Sequence, residues 1–351
     1  MSARITIALD AMGGDRAPEM VIRGASIALQ RFPHANFLIY GVESGIAPIV
    51  AKLPRLAGHV TVRHTDEVIS GDTRPSVALR TGRRSSMRLA IETVAAGEAD
   101  CVVSAGNTGA LMAMAKTALR MLPGIDRPAM ASFFPTQRGE SVLLDLGANV
   151  ECDADNLVQF ALMGDVFART VLGLLQPTVG LLNVGSEELK GNDAVRGAAM
   201  RLKAPGVPIR FQGFVEGDGI AAGAVDVIVT DGFTGNVAVK TAEGTARLFT
   251  EFLRASFKHS LSARIGYLFA RTTLRKLRAR LDPRRYNGAV FLGLDGICVK
   301  SHGGADALGF ANAIGVAVDM KLNGFLEKIR DGLARLSDVP ATQDKSQTAA
   351  L

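Results

Sequence analysis

Short apolar runs recur along the chain, each closed by glycine and small polar residues. Strand-length runs occupy Ile5–Asp10, Asn36–Gly41, Val60–Thr65, Asp100–Ala105, Ser141–Leu146, Val179–Val184, Val225–Thr230 and Ala289–Leu294. Between them, apolar residues fall at helical spacing over Glu19–Arg31, Ser86–Ala96, Asn156–Leu175 and Ala305–Met320. Apolar strands joined by crossover helices predict an α/β fold, with a largely parallel sheet covered on both faces.

In such sheets ligands gather at the carboxyl ends of strands. Those ends carry six loops that pair glycine with Asp, Asn, Ser or Thr: Asp10–Asp15, Ser104–Gly109, Asp145–Asp153, Asn183–Asp193, Thr230–Asn236 and Ser301–Asp306. Any one of them alone reads better as a solvated turn; together they predict a single lined crevice. The stretch VVSAGNTGALMA, Val102–Ala113, is the clearest case. A strand stops at a Gly-rich turn and a helix begins, which turns free backbone N–H groups toward an anion. The turn matches neither the P-loop nor the dinucleotide fingerprint.

Two loops resemble each other. ADCVVSAGNTG (Ala99–Gly109) and VDVIVTDGFTG (Val225–Gly235) share Asp-x-x-x-[Ser/Thr]-x-Gly-x-Thr-Gly at an offset of 126 residues. Shared turn chemistry accounts for part of this, and a duplication about a pseudo-dyad accounts for more.

Composition narrows the class. Hydrophobic residues make up 48% and charged ones 21% of the 351 residues, enough for a sizeable core. With 38 Gly, 3 Tyr and no Trp, the chain lacks the stacking platforms of a single-strand nucleic-acid binder. Cys101, Cys152 and Cys298 are scattered, so a disulfide framework or zinc site is not expected and a reducing cytoplasm is. The N-terminal residues enter a strand without signal-peptide anatomy, and no apolar run reaches membrane-spanning length.

The net charge of +6 is not spread evenly. Arg247–Arg285 holds 11 Lys or Arg against 2 acidic residues, about +9, leaving about −3 for the rest. Apolar residues at helical spacing there, among them Phe257, Leu261, Ile265, Leu268 and Phe269, predict a helical hairpin over about 243–285 with a break near Ser260–Ser262. A basic amphipathic face suits anionic lipid headgroups; a dimer-forming hairpin with a solvated basic face fits equally. Nucleic acid is not an expected partner, since no reader motif appears. Residues 337–351 lack apolar periodicity and read as a disordered tail after a domain spanning 1–336.

Several chemistries lack their parts. The five histidines have no metal-ligand spacing, and no Gly-x-Ser-x-Gly elbow occurs. Gly185–Asn192 approaches a P-loop but puts Lys190 where its second glycine belongs. No metal and no cofactor is expected. What remains is a donor-rich crevice with few nucleophiles, which fits an enzyme whose nucleophile is a substrate. Inorganic phosphate qualifies, provided the protein holds it against a carbonyl carbon and stabilises the oxyanion.

The segments ALDAMGGDRAP, VSAGNTGALMA, LLDLGANVECD, LNVGSEELKGND, GFVEGDG, VTDGFTGNVAVKT and LGLDGICVKSHGGAD occur in order from Ala8 to Asp306. Together they resemble the bacterial phosphate acyltransferase family, which converts acyl-acyl-carrier protein and inorganic phosphate to acyl phosphate, opening phosphatidic acid synthesis. The resemblance implies a three-layer α/β/α fold similar to phosphotransacetylases and isopropylmalate dehydrogenases. It implies a mixed, largely parallel central sheet and two intertwined subdomains plus a protruding hairpin. It also implies a homodimer, cytoplasmic and peripherally membrane-associated, with a glycerol-3-phosphate acyltransferase downstream. One departure is Ala78–Met87, where Gly82-Arg83-Arg84 replaces the family's frequent Lys pair.

On this basis Lys190 is expected to bind phosphate or neutralise developing charge, against the alternative of a solvated lysine. Asn236 and Thr234 are expected to donate to the thioester oxygen, with Asn236 as a helix cap nearly as good a reading. Asn107, Thr108 and Gly109 are the phosphate-side candidates; Gly13, Gly14, Ser104, Asn149, Asn192 and Gly235 complete the substrate-binding set. Asp10, Asp15, Asp145 and Asp231 are expected to orient amides or Lys190, since carboxylates repel phosphate. Arg80, Arg83 and Arg84 are candidates for the acidic carrier protein. The rival readings are an acyl-coenzyme A phosphotransacetylase and a non-catalytic membrane scaffold for lipid synthesis.

Overall fold

The computed structural model describes residues 4–258, 261–280 and 282–337. Its strands are β1 (Ile5–Asp10), β2 (Ala35–Gly41), β3 (Val60–His64), β4 (Cys101–Ser104), β5 (Ala129–Thr136), β6 (Gly139–Leu144), β7 (Thr178–Leu182), β8 (Arg210–Val215), β9 (Val227–Val229), β10 (Ala289–Leu292) and β11 (Ile297–Lys300). They form one sheet in the order β3-β2-β1-β4-β11-β10-β5-β6-β9-β7-β8. Helices cover both faces, so the fold is α/β with a mixed, largely parallel sheet.

Three strands escaped the hydrophobic pattern. In β5, AMASFFPT, Pro135 interrupts the apolar run. The edge strand β8, RFQGFV, carries Arg, Gln and Gly213 at φ +99°. The four residues of β11 follow β10 across a tight reversal and merge with it in the sequence.

Alternation within each strand divides the core between the two faces. Ile7, Leu9, Cys101 and Val103 point to the layer of the Glu19–Arg31, Ala154–Phe167 and Ala307–Leu322 helices. Ala8 and Val102 meet the Ser86–Ala95 and Thr108–Leu119 helices on the other face. A smaller apolar cluster, including Leu143, Val215 and Ile228, underlies the start of the Gly232–Lys258 helix.

Strand direction decides where the loops go. β3, β2, β1, β4 and β11 are mutually parallel, as are β6, β9, β7 and β8. Antiparallel pairings β11–β10, β10–β5 and β5–β6 separate the two sets, so they run in opposite directions. The carboxyl ends of β1, β4 and β11 therefore share one edge of the sheet, and those of β6, β7 and β9 share the other. This corrects the expectation of a single crevice: the six loops divide three and three between opposite edges.

The Gly232–Lys258 helix has 27 residues, about 40 Å at 1.5 Å per residue, roughly twice the length of the strands below it. It returns as the Leu261–Arg280 helix. Phe257 and Tyr267 meet edge-on with ring centroids 5.5 Å apart, while Phe249, Phe252, Ile265, Leu268 and Phe269 are exposed. Of the expected break near Ser260–Ser262, Leu261 and Ser262 open the second helix, while Ser260, like His259, the Leu261 side chain and the tail at 338–351, lies outside the described residues.

Candidate active site

At the first edge, strand register brings Asp10, Ser104 and Lys300 to one level across β1, β4 and β11. The buried Asp10 carboxylate accepts from Ser104 Oγ at 2.6 Å, Ser86 Oγ at 2.7 Å and the Met12 N–H at 3.2 Å. Burial raises its pKa, and the two hydroxyls, the Met12 amide and the Lys300 charge pull it back down. Ser104 Oγ also accepts from the Gly106 N–H at 3.0 Å, which fixes the turn above the carboxylate.

The three loops interlock closely. A Cβ on Gly13 would lie 2.5 Å from the Gly106 nitrogen and 2.7 Å from Asp10 Oδ2. Gly14 has φ +100°, and the Asp15 N–H donates to the Gly303 carbonyl at 2.9 Å. Asn107 caps the Thr108–Leu119 helix by accepting from the Ala110 N–H, and its amide donates to the Gly71 and Thr73 carbonyls. That clamp holds the 71–86 segment against the turn, with Arg74, Arg80, Arg83 and Arg84 exposed on it. Those four arginines form no ion pair among the described residues.

Lys300 is buried here, 8% exposed. Its Nζ donates to the Ala105 carbonyl at 3.3 Å and to the Ser301 carbonyl. Burial lowers its pKa to about 8, against the raising effect of Asp10 and Asp15. Asn287 braces the neighbouring loop, donating to Ser301 Oγ and accepting from the His302 N–H, both at 2.8 Å. Lys300 and Ser86 were not among the residues expected from sequence. Their signal was a lone lysine ending a strand and the second of the adjacent Ser85 and Ser86 at a helix start.

The second edge repeats the plan. Buried Asp145 accepts from the backbone N–H groups of Met130, Gly147, Ala148 and Asn149, and from Asn149 Nδ2 at 2.9 Å. Burial raises its pKa; these donors lower it. A Cβ on Gly232 would lie 2.8 Å from Asp145 Oδ2 and 2.9 Å from the Gly147 Cα, the relation that Gly106 and Gly13 bear to Asp10. A Cβ on Gly235 would collide with the Asp145 carbonyl.

Most side chains expected to meet substrate here are engaged within the protein. Asn236 Nδ2 donates to the Leu146 carbonyl at 3.0 Å, from within the helix and not from a cap position. Thr234 gives its N–H and hydroxyl to Asp231, both at 2.8 Å. Asn192 caps the Asp193–Leu202 helix, and Asn149 also donates to the Pro128 carbonyl. Lys190 is exposed, and its ammonium has no ion-pair partner among the described residues. A cleft of about 440 Å³ opens nearby, lined by Val150, Glu151, Cys152, Asn192, Asp231, Phe233 and Thr234. Its charged lining residues are acidic, and among its apolar ones Val150 and Phe233 are exposed.

The edges thus differ in charge. The first joins a Gly-rich turn and helix N-terminus to a buried ammonium and to exposed arginines that form no ion pair among the described residues, whereas carboxylates line the cleft of the second. Cys101 and Cys298 are buried, and burial pushes Cys298 up to about 12 and Cys101 higher still, away from nucleophilic use.

The fatty acid synthesis protein family model matches residues 5–328. The chain is 69% identical over 336 residues to the phosphate acyltransferase of Rhodospirillum centenum, covering 96% of this chain and 95% of that one. It is 60% identical over 342 residues to the phosphate acyltransferase of Rhodospirillum rubrum, with 97% and 98% covered. Among solved structures, a Streptococcus pyogenes phosphotransacetylase superposes with TM-score 0.62 at 17% identity, over 92% of this chain and 95% of that one. A putative 4-hydroxythreonine-4-phosphate dehydrogenase from Salmonella typhimurium gives TM-score 0.52 at 13% identity, over 91% and 100%. These structural likenesses bear on the fold.

Proposed function

The chain belongs to the bacterial phosphate acyltransferase family, and from that membership we propose that it transfers a long-chain acyl group from acyl-carrier protein to inorganic phosphate. A phosphate oxygen attacks the thioester carbonyl carbon, the carbon–sulfur bond breaks, and the proton carried by hydrogen phosphate leaves with the thiol. The products are acyl phosphate and free carrier protein, with no acyl-enzyme between. The protein's part is to hold two reactants together and stabilise a tetrahedral oxyanion.

The observation that carries this reading is the first edge: a Gly-rich turn opening the Thr108–Leu119 helix and bonded through Asn107 to the 71–86 segment, whose exposed Arg74, Arg80, Arg83 and Arg84 form no side-chain ion pair among the described residues. Asn107, Thr108 and Gly109 are proposed to offer phosphate their backbone N–H groups, with Gly13 and Gly14 letting their own loop pack closely against this turn. Arg80, Arg83 and Arg84 are proposed to meet the acidic carrier. Since Asn236 and Thr234 already donate to Leu146 and Asp231, oxyanion stabilisation in this reading falls to backbone N–H groups of the first edge.

A second reading puts the reaction beside Lys190, whose ammonium has no ion-pair partner among the described residues and which is close in sequence to the Asn192 wall of the cleft. The basic hairpin, with its exposed Phe249, Phe252, Leu268 and Phe269, is proposed to serve peripheral contact with anionic membrane, dimerisation, or both. There the product would reach a downstream glycerol-3-phosphate acyltransferase. Among the described residues no helix is long and apolar enough to cross a membrane.

The test is a long-chain acyl-carrier thioester with and without phosphate, following free thiol and acyl phosphate. Phosphate-dependent release of both is expected. Equal turnover of the coenzyme A thioester would favour a phosphotransacetylase, and lipid binding without turnover of either would favour a scaffold.

A further inference from the structure

The turn proposed to seat phosphate lies directly above a carboxylate. A Cβ on Gly106 would be 3.3 Å from Asp10 Oδ2, and Ser104 Oγ links that carboxylate to the Gly106 amide. An uncompensated buried charge at this point opposes a second anion strongly, because little water screens it. The compensating group is Lys300, level with Ser104 in the β4–β11 register, its ammonium held under the loops by the Ala105 and Ser301 carbonyls. An ammonium has three donors; here two of them hold the Ala105 and Ser301 carbonyls.

We infer that Lys300 is a positioning residue that turns the Ser104–Gly109 loop into a phosphate seat, by offsetting the Asp10 charge beneath it and fixing the Ala105 and Ser301 carbonyls away from the anion. The inference rests on phosphate being the acyl acceptor. Two carboxylates face the ammonium, Asp10 from the end of β1 and Asp15 from the loop that follows. Lys300 is the cation that acts on the Asp10 carboxylate beneath the turn.

The test compares wild type, Lys300→Met, Lys300→Arg and the Asp10→Asn/Lys300→Met double variant, varying phosphate and acyl-carrier thioester separately. Lys300→Met should raise the phosphate KM by about tenfold or more while moving the thioester KM by less than about twofold. The double variant should recover about threefold or more of that loss, because the uncompensated negative charge is gone. Lys300→Arg should stay within about threefold of wild type. A rise in both KM values alike, or a double variant worse than the single one, would overturn the inference.

Should Lys300→Met fail to fold, Lys300→Arg decides: a tenfold-weakened phosphate KM with the charge retained, about that or more, rejects the charge-balance role. Wild-type enzyme that releases no thiol on addition of phosphate would reject the acyl-transfer reading instead. The rise in melting temperature produced by phosphate alone then tests the seat, being present in wild type and lost in Lys300→Met if the inference holds.

Discussion

The Ser104 hydroxyl donates to Asp10 at 2.6 Å while its oxygen accepts from the Gly106 amide at 3.0 Å. One side chain thus ties a buried carboxylate to the turn above it. Ser104→Ala should cost about 1–3 kcal/mol by leaving Asp10 short of a donor. Phosphate-dependent turnover should fall with it. Urea unfolding and the thiol-release assay on the same preparation check both, and unchanged values for each would separate the carboxylate from the turn.

Gly13 makes the crowding testable. A Cβ there meets backbone at 2.5 Å, which cannot rotate away, so Gly13→Ala should destabilise by about 1–3 kcal/mol and weaken phosphate use. Gly71→Ala, with nothing within 4 Å of the added carbon, should stay within about 0.5 kcal/mol of wild type. Thermal melts of the two variants make the comparison.

Lys300 gives a pH dependence of defined sign. Its pKa is about 8 in the folded protein against an ordinary 10.5, so between those values the unfolded chain binds more protons. Stability from this residue therefore rises with pH across about 8 to 10.5, regaining on the order of 3 kcal/mol that burial of the ammonium costs at neutral pH. The unfolding free energy of wild type minus that of Lys300→Met should show this rise. Phosphate affinity should move the opposite way, weakening as the ammonium deprotonates beside Asp10 and Asp15.

The two edges can be separated by Lys190→Ala and Asn236→Ala. Asn236→Ala strips the Leu146 carbonyl of its donor, so stability should drop by about 1 kcal/mol with a smaller change in turnover. Lys190→Ala should keep most wild-type turnover. A loss of about tenfold or more would move the chemistry to the second edge.

For the hairpin, replacing exposed Phe249 and Phe252 by Asp should reduce co-sedimentation with anionic vesicles while sparing turnover of a soluble thioester. A fall in solution mass without a change in vesicle binding would assign the face to dimerisation.

Apolar runs and glycine spacing made the layered α/β architecture legible, along with the Gly-rich loops and the kinship of Ala99–Gly109 with Val225–Gly235. That kinship reappears as matching carboxylate-under-turn arrangements at Asp10 and Asp145. Strand direction was not legible. It depends on β5 and β10, whose pairings, such as Val290 with Ala131, join residues far apart in the chain. Lys300 was hidden for a related reason: one lysine ending the run ICVK reads as a solvated strand end until β1 and β4 close around it. Asn236 and Thr234 show the converse, as good donors by type whose protons the fold had already committed.

The order in which the chain emerges during synthesis gives the sheet a further consequence. β1 and β4 are complete by Ser104, yet the strand that pairs with β4 on its other side ends at Lys300. A nascent chain carries the Asp10 carboxylate without its lysine while nearly two hundred intervening residues, the whole second half and the hairpin among them, are being added. The first edge is consequently the last part of the sheet to be assembled, and no amino-terminal fragment ending before β11 can contain it whole.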